Sequence, residues 1–517
     1  MQLINRIAEE LYKDEFNVLL INPPYPRRYG GGIVPPISLC YLAASLRQIG
    51  ANPALLDLAL LLPNYKLDDT YELRELIHTF LEKSSSRSPK LIGIGPLVTA
   101  SLRSTREIIQ ACRTSCRATI IVGGPLCAVP GFSTVAKEYL NVDAYVVGDG
   151  ETPITAIWKA IDTGLNLKSV SPIVAIPGIV EMQPFREQNL DLLPLPARDL
   201  LPQDGYQSSR RRSLSSSRMT AAFLSRGCPY SCSFCAAPLA SGKAVRKVST
   251  NRITEEVRAC VAAGFKTIIF YDDCLFIKSP KLERSVLDFA EAVHKADWDG
   301  TFQLELRCDA VASLSDEALS ALLGAGCRQI NMGIEKAHTT QLQELRKRLS
   351  PEIARQACEK IRSTKMRAAG TFIIGGPTEN KENIEATIDF AVSLPLDFAH
   401  FNPMALYPGT ALFDQVFGTS ASGSWLELCL DQHIAPQGDI LWSNSQIPLD
   451  YIMSSIRDAY ARFYTEERLQ IVLTKHEEGD RESISRSYEI LAYDRAHSWI
   501  DKGLVPQTDH VGELISC

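Results

Sequence analysis

Cys228-Pro-Tyr-Ser-Cys232-Ser-Phe-Cys235 places three thiols within eight residues. Thiolates are soft ligands, and three on one short loop can hold three irons of a four-iron cluster, which ordinarily takes four cysteines. No fourth cysteine falls at cluster spacing, so one iron would stay open to bind and activate a ligand. Spacing alone leaves two other readings in play. Structural zinc takes four closed ligands, and no Cys/His pair follows at finger spacing. A disulfide would leave an odd thiol and suits an oxidising compartment.

The elements that must position this loop read as strand–helix alternation. Ala221–Ser225 reads as a strand running straight into the cysteines. A helix follows with Ile253, Val257 and Val261 at i, i+4 and i+8, closed by Gly264, then strand Thr267–Tyr271 and helix Leu282–Val293. The unit recurs as strand Phe302–Arg307 with a helix capped by Ser315, strand Gln329–Gly333 with helix Pro351–Ile361, and strand Gly370–Ile374 with helix Ile384–Val392. Strand Ala399–Pro403 completes the set. Six such units imply a partial or complete parallel barrel, whose chemistry sits at the carboxyl ends of the strands. The tail from about Leu449 is helical in pattern, over Tyr451–Tyr464 and Glu466–His476.

A second alternation precedes it. Candidate strands Asn17–Ile21, Pro53–Leu58, Leu91–Gly95, Thr119–Val122 and Ala144–Val147 are separated by helical patterns such as Leu39–Ile49, Leu73–Phe80, Leu102–Cys112 and Thr152–Ile161. This predicts a doubly wound parallel sheet with ligands at the strand ends. Those ends carry Asn22-Pro23-Pro24, Gly95-Pro96, Gly123-Gly124-Pro125 and Gly148-Asp149-Gly150-Glu151. Glycines there allow close backbone approach, although from glycines alone tight turns are the plainer reading. Residues 161–218 read as a linker, with prolines at 184, 194, 196 and 202 and a basic serine-rich run from Gln207 to Arg218, taken as a solvated loop. The expected division is 1–160, 161–218, 219–415 and a mostly helical 416–517.

At 517 residues, two or three domains are expected. A composition of 45% hydrophobic and 22% charged residues is that of an ordinary globular protein. A net charge of −6 and a pI near 5.9 provide no general attraction to nucleic acid or anionic membranes. No apolar run is long enough to span a bilayer, and the start MQLINRIAEELYKDE is amphipathic and acidic, so a cytoplasmic location is expected. Fourteen cysteines in so long a chain are not a disulfide framework. Cys112 and Cys116 share a helix face, and Cys260, Cys327 and Cys358 fall on apolar stripes, as buried structural thiols do. Only Cys429 and Cys517 follow the barrel, so no auxiliary cluster is expected there.

The segment SRGCPYSCSFC (Ser225–Cys235), with Phe234 before the last cysteine, resembles the radical S-adenosylmethionine (SAM) superfamily, whose CxxxCxxC loop follows the first strand of a partial (β/α)6 barrel. Later motifs fit in order: FYDDCLF (Phe270–Phe276), Arg307 ending the third strand, NMGIEKA (Asn331–Ala337), FIIGGPTE (Phe372–Glu379) and YPGTALF (Tyr407–Phe413). The resemblance implies a 4Fe-4S cluster on Cys228, Cys232 and Cys235 that chelates S-adenosyl-L-methionine and cleaves it reductively to a 5′-deoxyadenosyl radical. It points to Phe234, Asp272, Asp273, Arg307, Glu335, Gly375 and Gly376 as SAM-binding. Residue by residue, Asp272 and Asp273 could hydrogen-bond a ribose or an ammonium, Arg307 and Glu335 could meet the cofactor or form an internal ion pair, and Gly375-Gly376 could be a plain turn.

The stretch INPPYPRRYGGGIVPPISLCYLAASLRQIG (Ile21–Gly50), with IIVGGP (Ile120–Pro125), VDAYVVGDGE (Val142–Glu151) and LLPLPARDLLP (Leu192–Pro202), resembles the Rossmann-like cobalamin-binding domain and link that precede many of these enzymes. This implies cobalamin near Asn22, Pro23, Pro24, Gly123, Gly124, Gly148, Gly150 and Glu151. The DxHxxG motif that places a histidine on cobalt is absent, and the domain's one histidine, His78, lies in a helical pattern. Leu97 or Val98 would then cover the lower face of the cobalt. The implied activity is C-methylation of an unactivated carbon of a small molecule, with an electron donor such as flavodoxin or ferredoxin and no nucleic-acid partner. A cyclase or rearrangement enzyme without methyl transfer, and a cobalamin sensor with a vestigial barrel, are the alternatives weighed.

Overall fold

The computed structural model describes residues 15–26, 34–62, 65–66, 69–83, 89–170, 173–178, 183–202, 206, 218–418, 424–431, 439–444, 446–476 and 478–497. Most of the Gln207–Arg218 run and part of the Ile21–Gly50 stretch lie outside them.

The first half is a five-stranded, wholly parallel sheet: β1 (Val18–Asn22), β2 (Pro53–Asp57), β3 (Leu91–Ile94), β4 (Thr119–Gly123) and β5 (Ala144–Val146), in the order β2-β1-β3-β4-β5. The apolar runs VLLIN and LIGI are buried along their whole length, as expected of strands covered on both faces. Helices Ile37–Gln48 and Glu151–Asp162 cover one face, and Thr70–Lys83 and Leu102–Ser115 the other. The strand order reverses between β1 and β3, where sheets of this topology bind ligands. The described part of the segment read as a linker is packed on both halves, with Arg198 reaching Thr220 and Glu256 of the second and the earlier part joining the first. Ala175 bridges Tyr145, and Phe185 bridges Gly148.

The second half is a six-stranded parallel sheet of β6 (Met219–Ala222), β9 (Thr267–Phe270), β10 (Thr301–Leu306), β11 (Cys327–Glu335), β12 (Arg367–Ile374) and β13 (Phe398–Pro403), in unbroken sequence order. Strands β6 and β13 are not paired with each other, so the barrel is partial. Ser315 accepts from the Ala318 amide as its helix N-cap. The hairpin β7 (Ser225–Arg226) and β8 (Arg246–Lys247) closes over the cysteine loop, and β14 (Ala405–Leu406) with β15 (Ile440–Leu441) follows β13. Helices Leu449–Phe463 and Glu478–His497 pack beyond β13, where the hydroxyls of Tyr464 and Tyr460 accept from the amides of Ala399 and Phe401 at 2.9 and 3.1 Å. Among the described residues, no helix is long and apolar enough to cross a membrane.

Candidate functional site

Cys228, Cys232 and Cys235 occupy the loop after β7, each half-buried and free of disulfide bonding. The loop is fixed by its backbone: Cys228 donates to the Gly242 carbonyl at 3.0 Å, and Ser233 to that of Leu345 at 2.9 Å. Its aromatic residues are gripped by cations. The Arg307 guanidinium lies 3.7 Å from the Tyr230 ring centroid, and Lys347 Nζ lies 5.9 Å from that of Phe234. Burial raises the Cys232 thiol and pushes that of Cys235 up to about 11. The Cys228 thiol is lowered to about 7 by a hydrogen bond with the Cys274 thiol, against burial that raises it. Three thiolates on one loop can each take its own iron of a four-iron cluster, whereas a closed structural zinc site takes four ligands.

Beside the loop lies an open cavity of about 460 Å³. One wall is made by the strand ends Gly93–Pro96, Gly123–Pro125 and Gly148–Glu151, and the other by Ser225, Arg226, Tyr271, Asp273, Ala236 and Ala237, the last two directly after Cys235. At Gly123 an added Cβ would meet nothing closer than 3.8 Å, so the protein's own packing does not demand glycine there. The bare backbone is free for a ligand to approach. Gly124 differs: its φ is +137° and a Cβ would sit 2.3 Å from the Leu97 amide nitrogen. Gly124→Ala is expected to lower the unfolding free energy by more than about 1 kcal/mol, measured in denaturant.

The carboxyl ends of two parallel sheets thus face one cavity, with the thiol loop at its edge. Residues 223–391 match the Radical SAM superfamily, and residues 28–157 match the B12 binding domain.

The chain is a radical SAM enzyme with a B12-binding domain.

An uncharacterised methyltransferase of Pyrococcus horikoshii is 27% identical over 462 residues, covering 88% of this chain and 94% of its own. The hopanoid C-3 methylase of Methylococcus capsulatus is 26% identical over 381 residues, covering 72% and 67%. The fold matches that of TsrM from Kitasatospora setae, a radical S-adenosylmethionine methyltransferase solved with cobalamin and a 4Fe-4S cluster bound. The TM-score is 0.68 at 16% identity, over 93% of this chain and 99% of that one.

The sequence-predicted residues of this radical SAM enzyme fall into three groups. Gly123, Gly124, Gly148, Gly150 and Glu151 line the cavity, as does Asp273, whose carboxylate accepts from the Gly227 amide at 3.2 Å. A second group is held within the protein. Asn22 donates to Asp57 at 2.6 Å, the Pro24 carbonyl accepts from Ser104, and Leu97 is wholly buried in the first module's core. The Val98 amide donates to Ser101 at 3.1 Å. Pro23 is buried, and neither Leu97 nor Val98 lines the cavity. The third group sits at the barrel's strand ends. Arg307 pairs with Asp309 at 3.0 Å, and Glu335 pairs with Lys347 at 2.7 Å, so each acid or base has a partner, though not the other. The Gly375 and Gly376 carbonyls accept from Lys336 at 3.0 Å and Asn444 at 3.1 Å.

Asp272 ties the second strand to the cysteine loop. Its Oδ1 accepts from the Leu224 amide at 3.0 Å, the Ser225 hydroxyl at 2.7 Å and the Ser225 amide, while Oδ2 is buried without a partner. Burial pushes this carboxyl up to about 7, against the hydrogen bonds that lower it. A carboxyl that ionises less readily in the fold than in the unfolded chain favours folding while protonated. That contribution is lost as pH rises from about 4 to about 7. In Asp272→Asn this slope disappears, so the denaturation midpoint is expected to fall less than in the parent between about pH 5 and about pH 8.

Five residues of the site escaped the sequence reading. Arg226, adjacent to the cysteine loop, donates to Glu151 at 2.5 and 3.0 Å and lies 3.3 Å from Asp149, while Arg246 also pairs with Asp149. Lys347 and Cys274 complete the set. Arg226 and Asp149 stood inside the recognised segments SRGC and GDGE; Lys347 and Arg246 carried no motif.

Proposed function

We propose that this chain is a cobalamin-dependent radical SAM methyltransferase acting on an unactivated carbon of a small molecule. Cys228, Cys232 and Cys235 would hold a 4Fe-4S cluster, and Gly123, Gly124, Gly148 and Gly150 would cradle cobalamin. When bound, the cluster supplies the electron that cleaves SAM, and cobalamin supplies a methyl group that needs no nucleophilic carbon to accept it. The observation carrying this reading is the shared cavity, whose two walls come from the glycine-bearing ends of one sheet and the cysteine-loop side of the other.

The protein's own groups supply position. Asp273 holds the Gly227 amide next to Cys228, and Arg307 and Lys347 hold Tyr230 and Phe234 on either side of Cys232. Phe223, Tyr41 and Tyr271 give the cavity an apolar, aromatic lining suited to a substrate whose reacting centre is a carbon. An electron donor such as flavodoxin or ferredoxin would serve the cluster. The test is anaerobic reconstitution with cobalamin, dithionite and SAM, followed by product analysis. Formation of both S-adenosylhomocysteine and 5′-deoxyadenosine is expected. 5′-Deoxyadenosine alone would favour a cyclase or rearrangement, and absence of corrin absorbance after supplementation would overturn the methyl-transfer reading.

A further inference from the structure

We propose that the buried Lys347–Glu335 pair sets the reduction potential of the cluster on Cys228, Cys232 and Cys235, with Lys347 the dominant charge. The inference rests on the cluster assignment above and goes beyond it.

Lys347 and Glu335 are 8% and 5% exposed, and join at 2.7 Å. Two features show that the fold is built around this contact. An added Cβ at Gly333 would sit 2.4 Å from Glu335 Oε1 and 2.6 Å from Lys347 Nζ, so the charged ends of the pair fill the space that the missing side chain leaves. Glu335 also has φ +72°, a left-handed conformation that costs a non-glycine residue of order 1 kcal/mol or more. Arg307 holds the other end of the arrangement, donating to the Lys347 carbonyl at 3.0 Å. A buried ion pair is weak evidence for stability, because desolvation offsets the attraction. A pair held at so strained a residue therefore calls for another role.

Position supplies one. Lys347 reaches over Phe234, the residue directly before Cys235. Lys347 Nζ is thus the end of the pair that faces the cysteine loop, 5.9 Å from that ring's centroid, while Glu335 lies on β11 behind it. Reduction adds one negative charge to a cluster. A nearby buried cation stabilises that added charge and an anion opposes it, with little screening by water. Lys347 thus raises the potential, and Glu335 trims the rise.

The experiment compares parent, K347Q, E335Q and K347Q/E335Q after anaerobic reconstitution without SAM. Iron and sulfide are assayed first, and the cluster is then titrated with dithionite under electron paramagnetic resonance. K347Q is expected to shift the potential to more negative values and E335Q to less negative ones. The double variant leaves no buried charge unpaired, so it tests the idea even if a single variant fails to fold. Its potential is expected below the parent's. A cluster-bearing double variant with a potential equal to or above the parent's would overturn the proposal. A parent that takes up no iron and sulfide would overturn the cluster assignment instead.

Discussion

Cys232→Ala is expected to abolish reductive cleavage of SAM, and Cys228→Ala and Cys235→Ala to do the same. The loss should exceed about 100-fold, since removing even a residue that only supports a metal ligand costs roughly 10- to 100-fold. Each thiol would hold its own iron, so no pair of the three can stand in for the third. Because the three cysteines are only half-buried, truncation to alanine leaves the fold in place and the loss can be assigned to the cluster. One neighbour needs control. Cys274 shares a hydrogen bond with Cys228 and could supply a thiolate in its stead, so C228A/C274A should be assayed beside C228A. Iron and sulfide content and 5′-deoxyadenosine production are the readouts. A variant that keeps its iron and still yields 5′-deoxyadenosine would refute the ligand assignment.

Arg226→Met is expected to cost about 3–5 kcal/mol of unfolding free energy, the typical penalty for leaving a buried carboxylate without its partner. Arg226 and Glu151 are 14% and 5% exposed in their side chains, and Asp149 is 7% exposed, so solvent screens them little. Arg226→Met removes the bidentate partner of Glu151 and leaves Asp149 with Arg246 and the Glu187 amide. The double variant R226M/E151Q should recover much of the loss, because it removes the unpaired charge along with its partner. Denaturant unfolding of parent, single and double variants measures the coupling directly. Equal stability of R226M and parent would show that the network is inert.

Much of this fold could be read from sequence because apolar runs and helical periodicity repeat so regularly. Strand Pro53–Leu58 was placed within one residue of β2, and helix Leu102–Cys112 within three of its true end. Strand β11 runs Cys327–Glu335, longer than Gln329–Gly333, because Cys327 and Glu335 extend it past the apolar stretch. The helix Glu478–His497 was missed, since the charged residues at its start obscure the buried stripe of Ile484, Tyr488 and Leu491. Contacts between segments distant in sequence were not legible at all. Nothing local tells that Arg198, from a proline-rich segment, donates to Thr220 and the Ala221 carbonyl and pairs with Glu256 at 2.5 Å. Nor does spacing show that Asn22 faces Asp57 rather than the cavity. Motifs mark which residue types recur together, while side-chain direction depends on the whole packed chain.

The tyrosine hydroxyls over β13 occupy the backbone of the last strand of the second sheet. Tyr464 also donates to the Ala399 carbonyl at 2.7 Å, and Tyr488 donates to that of Asp397 at 2.8 Å. The partial barrel ends at β13, and an uncovered terminal strand is a template on which a second molecule can add its own. Three phenols occupy those backbone positions first. A chain shortened after Pro448 would therefore do more than lose packing: it would bare a ladder of unmet amides and carbonyls, and self-association would follow.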